Sequence, residues 1–243
     1  MQLQFIGSGD AFGSGGRFNT CFHLSVAGCT ALIDCGASSL VAMRKLGIDR
    51  GAIDVVLLTH FHADHFGGVP FFILDAQLNV KRTRPLILAG PPGLRDWYGR
   101  ACALAFPGER VLPFPLDIRE VEIGRANAIG ALAVTPFHVV HDDRAGPCLA
   151  YRIEAGGKVL CYSGDTEWTD ALLEAARGAD LFVCECYTFD KPRKSHMALS
   201  VLREKLPAIG ARRVILTHMS EDMLGRLGEV ELETAQDGAR VIF

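Results

Sequence analysis

This 243-residue chain predicts a layered α/β fold, and three observations carry that expectation. Short β-branched or apolar runs alternate with helix-like segments along the whole length. The chain is long enough to bury a full core as one domain over residues 1–243. Strand-like runs repeatedly end on a residue suited to metal or proton chemistry: Asp34 in ALIDCG, His60 in VVLLTH, Asp165 in LCYSGD and His218 in RVILTH. Residues of that kind at strand ends gather on one rim of such a fold, where loops assemble sites.

The elements follow in order. LQFI at 3–6 is a short apolar strand, and the glycine-rich GSGDAFGSGGR at 7–17 breaks it. A dinucleotide-binding turn needs a third glycine where Phe12 stands, with a helix after it, so this segment reads as a tightly turned or flexible loop offering backbone amides to an anion. CFHLSV at 21–26 and TALID at 30–34 are the next strands, and SLVAMRKL at 39–46 is a helix. VVLLT at 55–59 is a buried strand, VPFFILDAQL at 69–78 a helix, LILA at 86–89 a strand and GLRDWYGRACALA at 93–105 a helix. ALAVTPF at 131–137, CLAYRIE at 148–154 and VLCYS at 159–163 are strands. TDALLEAAR at 169–177 is a helix, LFVCE at 181–185 a strand, SHMALSVLREKL at 195–206 a helix and VILT at 214–217 a strand.

Composition narrows the class of function. Apolar residues make up 49% and charged residues 22%, the balance of a compact protein. A formal charge of -3 gives no global attraction to nucleic acid or an anionic membrane. Lys81, Arg82 and Arg84 form a local basic cluster that reads as a solvated loop. The N-terminal MQLQFIGSGDAFG shows neither a signal peptide nor a membrane anchor, so a cytoplasmic location without membrane partners is expected. The eight cysteines lie scattered in apolar runs without CxxC pairs, which reads as reduced core thiols. Cys184 and Cys186, either side of Glu185, alternate as residues of a buried strand do.

THFHADH at 59–65 places His60, His62, Asp64 and His65 in one HxHxDH cluster directly after a strand. A lone histidine is ordinarily a packed or surface imidazole. Imidazoles and a carboxylate crowded on one rim would repel as cations or lose hydration, so a metal cation is the simplest reason for their company. A loop turning into a helix can direct these ligands toward two points, each needing partners from elsewhere. His218 and Asp165 end strands and supply two, and a short carboxylate suits a bridge between cations about 3.5–4 Å apart. His138 and His141 in PFHVVHDD compete for the last place; three apart on a strand they face opposite sides. His141, at the strand's end beside AspAsp, is the expected ligand, and His138 the packed imidazole.

Together these residues resemble the metallo-β-lactamase superfamily along nearly the whole chain: Asp34 in LIDCG, HxHxDH at 60–65, His141 in FHVVH, Asp165 in SGDT, His218 in LTH and the ending AQDGARVIF. The resemblance implies a four-layer αββα sandwich with two divalent ions at one edge, zinc first, with manganese or iron as alternatives. By the family pattern His60, His62 and His141 would hold one metal, Asp64, His65 and His218 the other, and Asp165 both, while Asp34 would support them without binding. The opening LQFIGSGDAFGSGGRFNT is similar to the ribonuclease Z and phosphodiesterase branch, and His196 in KSHMA falls where that branch places an extra histidine. Ribonuclease Z carries a protruding tRNA arm between the third histidine and the bridging aspartate; residues 142–164 leave no room for it. The spacing is similar to compact members such as the cyclic phosphate phosphodiesterase of phosphonate breakdown.

The expected activity is hydrolysis of a small-molecule or nucleotide phosphodiester. Coordination lowers the pKa of water from about 15.7 to about 7; His196 is the expected general acid, and Asp64 orients the nucleophile as well as binding metal. The alternatives are lactone, thioester or amide hydrolysis on the same scaffold, tRNA 3′ processing, disfavoured by the missing arm and the net charge, and a metal-binding protein without turnover. The apolar ValProPhePheIleLeu at 69–74 exceeds one helix face and reads first as core packing; the resemblance implies a homodimer through this region as the second reading.

Overall fold

A computed structural model describes residues 1–108 and 111–243. In chain order its elements are β1 (Gln2–Gly7), β2 (Cys21–Val26), β3 (Cys29–Ile33), α1 (Ser39–Lys45), β4 (Val55–Leu57), α2 (Ala63–Phe66), α3 (Val69–Leu78), β5 (Leu86–Gly90), α4 (Leu94–Ala105) and β6 (Leu116–Glu120). The second half holds β7 (Asn127–Ile129), β8 (Leu132–His138), β9 (Leu149–Ala155), β10 (Lys158–Tyr162), α5 (Ala171–Ala176), β11 (Leu181–Glu185), α6 (Leu199–Ile209), β12 (Val214–Thr217), α7 (Glu221–Leu224), β13 (Glu233–Thr234) and β14 (Arg240–Ile242).

Among the described residues the strands form two seven-stranded sheets, ordered β14-β1-β2-β3-β4-β5-β6 and β13-β12-β11-β10-β9-β8-β7. Each sheet joins antiparallel pairing on one side to parallel pairing on the other: β3 through β6 run parallel in the first, β10 through β13 in the second. Parallel strands need covering on both faces, and the sequence supplies this as unbroken apolar runs. In β4 and the residue after it, Val55 and Leu57 join the core between the sheets while Val56 and Leu58 join the core under the helices. Phe5, Phe22, Tyr151 and Tyr162 fill the space between the sheets, with Phe22 edge-on to Phe5 at 5.1 Å and to Tyr162 at 4.9 Å. A second core lies on the outer face of the first sheet under α1, α3 and α4, and a third on the outer face of the other sheet under α5 and α6. The layers are therefore α, β, β, α, the expected sandwich. Leu32, fully buried in the second core, sets the scale: its truncation to alanine costs about 2–5 kcal/mol.

Several expectations need correction. Arg82 is not solvated: only 3% of it is exposed, and its guanidinium donates to the carbonyls of Arg84, Pro85 and Gly51, stapling the turn before β5. Arg84 pairs with Asp54, so this cluster is occupied by structure. The expected helix at 195–206 begins only at Leu199, because Ser195 takes a left-handed backbone (φ 68°) and the preceding residues form an extended loop. The strand expected at 55–59 stops at Leu57. Strands β6, β7, β13 and β14 lay outside the expected set. The glycine-rich segment is a tight loop with a 3-10 turn at Ser14–Gly16, held by Asp10 Oδ1 accepting from the amides of Phe12 and Ser14. Asp237 ties it down by accepting from the Ser8 and Phe18 amides. Among the described residues no helix is long and apolar enough to cross a membrane.

Candidate metal centre

The parallel strands of both sheets deliver their C-terminal ends to one rim, where Asp34 follows β3, His60 follows β4, Asp165 follows β10, Glu185 ends β11 and His218 follows β12. Asp34 (φ 58°), Ser195 (φ 68°) and His218 (φ 56°) hold left-handed backbones that cost about 1–3 kcal/mol each. Three of the four non-glycine residues with this geometry among the described residues thus cluster at one rim. Gly36 lets the HxHxDH segment lie close against the β3 loop, since a Cβ there would sit 2.1 Å from the Asp64 carbonyl oxygen. Gly164, at φ 58°, makes the turn that presents Asp165.

The seven expected side chains converge. Ligand atoms of His60, His62 and His141 lie within 4.8 Å of one another, as do those of Asp64, His65, Asp165 and His218. His218 Nε2 stands 3.2 Å from Asp64 Oδ2 and 3.2 Å from Asp165 Oδ2. His65 Nε2 stands 3.2 Å from Asp165 Oδ1, out of line for a hydrogen bond. His138 is apart from the cluster, exposed and paired with Asp143 at 2.9 Å.

The far nitrogens of His60, His65 and His141 are held by the protein, while His218 Nδ1 is buried without a hydrogen-bond partner. His65 Nδ1 donates to Asp34 Oδ2 at 2.7 Å, and Asp34 Oδ1 accepts from the Thr59 amide at 2.7 Å. Asp34 therefore supports the cluster from behind. His141 Nδ1 donates to the Ser195 carbonyl at 2.7 Å, and His60 Nδ1 lies 3.0 Å from Thr59 Oγ1. Each contact turns the other ring nitrogen inward, the orientation of metal-binding imidazoles. His60 Nε2, His65 Nε2 and Asp165 Oδ1 are buried without a hydrogen-bond partner. Orphaned acceptors are costly in a dry interior, so this His and Asp cluster fits divalent cations.

Electrostatics agree. Burial drives the His60 pKa well below its ordinary value, keeping it neutral. Burial opposes charge on His65, but Asp165, Asp64 and Asp34 outweigh it and push its pKa up. Burial also disfavours the Asp165 carboxylate, yet His218 and His65 hold it well below the usual range.

His196 reaches the cluster from the loop before α6, its ligand atom within 4.8 Å of those of His141 and Asp165. Its ring stacks on Tyr187 at 4.6 Å, and Nδ1 faces Glu185 Oε2 at 3.1 Å. Glu185 is fully buried and also accepts from the Thr166 amide. Sequence reasoning passed over Glu185, although a charged residue closing the apolar run LFVC, at the same strand end as the other site residues, was the available signal. Ser195 was also missed as a clamp: its carbonyl receives His141 Nδ1, its hydroxyl donates to the His141 carbonyl at 3.0 Å, and its amide donates to Glu167 Oε2 at 2.9 Å. Residues 142–164 contain a 3-10 turn at Asp143–Ala145 and the β9–β10 hairpin, with no protruding arm.

Residues 30–219 match the model of the beta-lactamase superfamily domain. The chain is 30% identical to a Ribonuclease BN from Erwinia tasmaniensis, covering 92% of this chain and 90% of that protein. Among solved structures, human tRNase Z, short form, superposes with a TM-score of 0.79 at 22% identity, covering 100% of this chain and 99% of that one. A diphosphatase from the PhnP family superposes with a TM-score of 0.79 at 20% identity, covering 100% and 97%. Two of these three are ribonucleases by name, so the expectation that disfavours tRNA draws no support from them.

Proposed function

The chain belongs to the metallo-β-lactamase superfamily, in its ribonuclease Z-like branch, as a metal-dependent hydrolase, and from that premise we propose that it cleaves a phosphodiester with two divalent cations, zinc foremost. His60, His62 and His141 would hold one cation, Asp64, His65 and His218 the other, with Asp165 placed to serve both. When bound, the pair supplies positive charge for the phosphoryl oxygens and acidifies water to a pKa of about 7. Asp64 would orient the attacking water as well as hold a cation. The observation that carries the reading is His196, a protonatable ring set beside the metal cluster and fixed at Nδ1 by buried Glu185. That contact leaves Nε2 as the atom that hands a proton to the departing oxygen. A thioester, whose thiolate leaves without a proton, offers less use for such an acid.

Turnover of bis(p-nitrophenyl) phosphate and of an alkyl phosphodiester is expected with Zn²⁺ or Mn²⁺; His196→Ala, with metal content unchanged by elemental analysis, should lose the alkyl diester, whose alkoxide needs a proton, and keep most of the p-nitrophenyl activity. Hydrolysis confined to lactones or thioesters overturns it. The ribonuclease names among the relatives favour tRNA as a second phosphodiester substrate, and cleavage of a precursor tRNA at its 3′ trailer is the direct assay.

A further inference from the structure

Two segments must meet for three imidazoles to face one point: His60 and His62 follow β4 in the first half of the chain, and His141 opens the loop between β8 and β9 in the second. The clamp at Ser195 fixes His141 from the second half alone. Within the loop Asp142 pairs with Arg144 and Asp143 with His138. Asp142 approaches His62 only to 3.6 Å, too long for a hydrogen bond. The tie to the first half is made by α4. Trp97 Nε1 donates to the Ala145 carbonyl at 2.7 Å, four residues past His141. Leu149 donates to the Thr59 carbonyl at 3.1 Å, but only where the loop has rejoined β9.

The same indole serves the other segment. Its ring stacks on Phe61, with centroids 5.7 Å apart and planes 21° from parallel, and Phe61 stands between His60 and His62 in sequence. Phe61 is buried and edge-on to Phe66 at 5.8 Å. Gly146 lets the loop close on this stack, since a Cβ there would sit 3.1 Å from Phe61 Cε2. Trp97 is itself fixed: it lies in the first turn of α4, packed against the outer core of the first sheet, with the Arg100 guanidinium 5.0 Å from its ring centre. Any large apolar ring would fill this space. The N–H that meets a loop carbonyl is what a phenyl ring does not supply.

We propose that Trp97 is the positioning residue of the three-histidine set. It stacks on the segment that carries His60 and His62 and hydrogen-bonds the loop that carries His141, so one rigid side chain sets the distance between them. This rests on the two-cation reading above. The bond is neutral and acts through the loop, so its loss weakens one cation site about three- to tenfold, less than removal of a direct partner does.

Zinc titration against a chromophoric chelator reads this without any substrate. Trp97→Phe keeps a ring on Phe61 and removes the N–H; one site is expected to weaken about three- to tenfold and the other to keep its affinity. Benzothienylalanine placed at position 97, an isostere with sulfur where indole has N–H, is expected to do the same. A role in packing alone would spare the isostere, so native affinity there overturns the proposal even if Trp97→Phe fails to fold. Asp34→Asn identifies the site, because Asp34 acts on His65 in the other set. Combined with Trp97→Phe it is expected to weaken both sites, and a loss confined to one site overturns the proposal. If the native protein takes up no zinc, the cation reading and this proposal fall together. If it binds two ions and both position-97 variants bind them as tightly, the proposal alone falls.

Discussion

Asp34→Asn isolates the work of a carboxylate that touches no cation. Asp34 is fully buried; Oδ2 accepts from His65 Nδ1 at 2.7 Å, and Oδ1 accepts from the Thr59 amide and hydroxyl at 2.7 and 3.0 Å. The amide keeps volume and the Thr59 contacts but replaces the anionic acceptor facing His65. Loss of one charge-assisted hydrogen bond of this length is worth about 1.5–3 kcal/mol. The same range, about 10–100-fold in metal affinity, is typical when the partner behind a ligating histidine is removed. The loss is expected on one site, because His60 is oriented by Thr59 and His141 by Ser195 instead. Titration against a chromophoric chelator is therefore expected to show one site weakened about 10–100-fold and the other within about twofold of native. Two sites of native affinity would show that His65 needs no carboxylate behind it. Equal weakening of both, in a variant with native circular dichroism, would show that the two cations are not held by separable sets.

Other outcomes follow from the same coordinates. Burial opposes ionisation of Asp75, but hydrogen bonds from Arg50, Asn79 and Arg44 outweigh it and hold its pKa below the ordinary value. Its contribution is therefore complete above the unfolded-state pKa of about 3.9 and disappears as pH falls through the lower folded value. Asp75→Ala should cost about 1–3 kcal/mol in urea unfolding at pH 7 and progressively less below pH 4; a cost unchanged at low pH refutes the pairing. Glu185→Gln should lower kcat about 10–100-fold on an alkyl phosphodiester, whose alkoxide needs a proton, with KM and metal content kept, since it releases His196 at Nδ1; lost metal would place Glu185 in the cation set instead. Phe71 and Leu78 on α3 are exposed by 47% and 59%, and Leu104 on α4 by 87%. This surface is expected to pair copies of the chain, with light scattering giving about twice 26.3 kDa and Phe71→Asp reducing it to one chain; a native mass of one chain refutes it.

The sequence exposed the parts of this molecule whose signal is local. Buried parallel strands read as VVLL and LFVC because both faces meet apolar cores, and HxHxDH is contiguous. Strand β6 hid because LDIRE is half exposed and alternates charge with apolar residues, while β13 and β14 are short and sit at sheet edges. Seeing the Ser195 clamp required knowing that a residue far along the chain lies against His141. Nothing in KSHMA announces a left-handed backbone, whereas Gly164 announces its own. The start of α6 moved for that reason.

The candidate cation set is divided between the two halves of the chain. His60, His62, Asp64 and His65 leave the ribosome with the first sheet, whereas His141, Asp165 and His218 arrive with the second. A nascent chain that has made only β1 to β6 holds neither full set, so tight metal loading would wait for the later half to dock. Metal held there would act as a clasp across the seam, and its uptake would report that the halves have met.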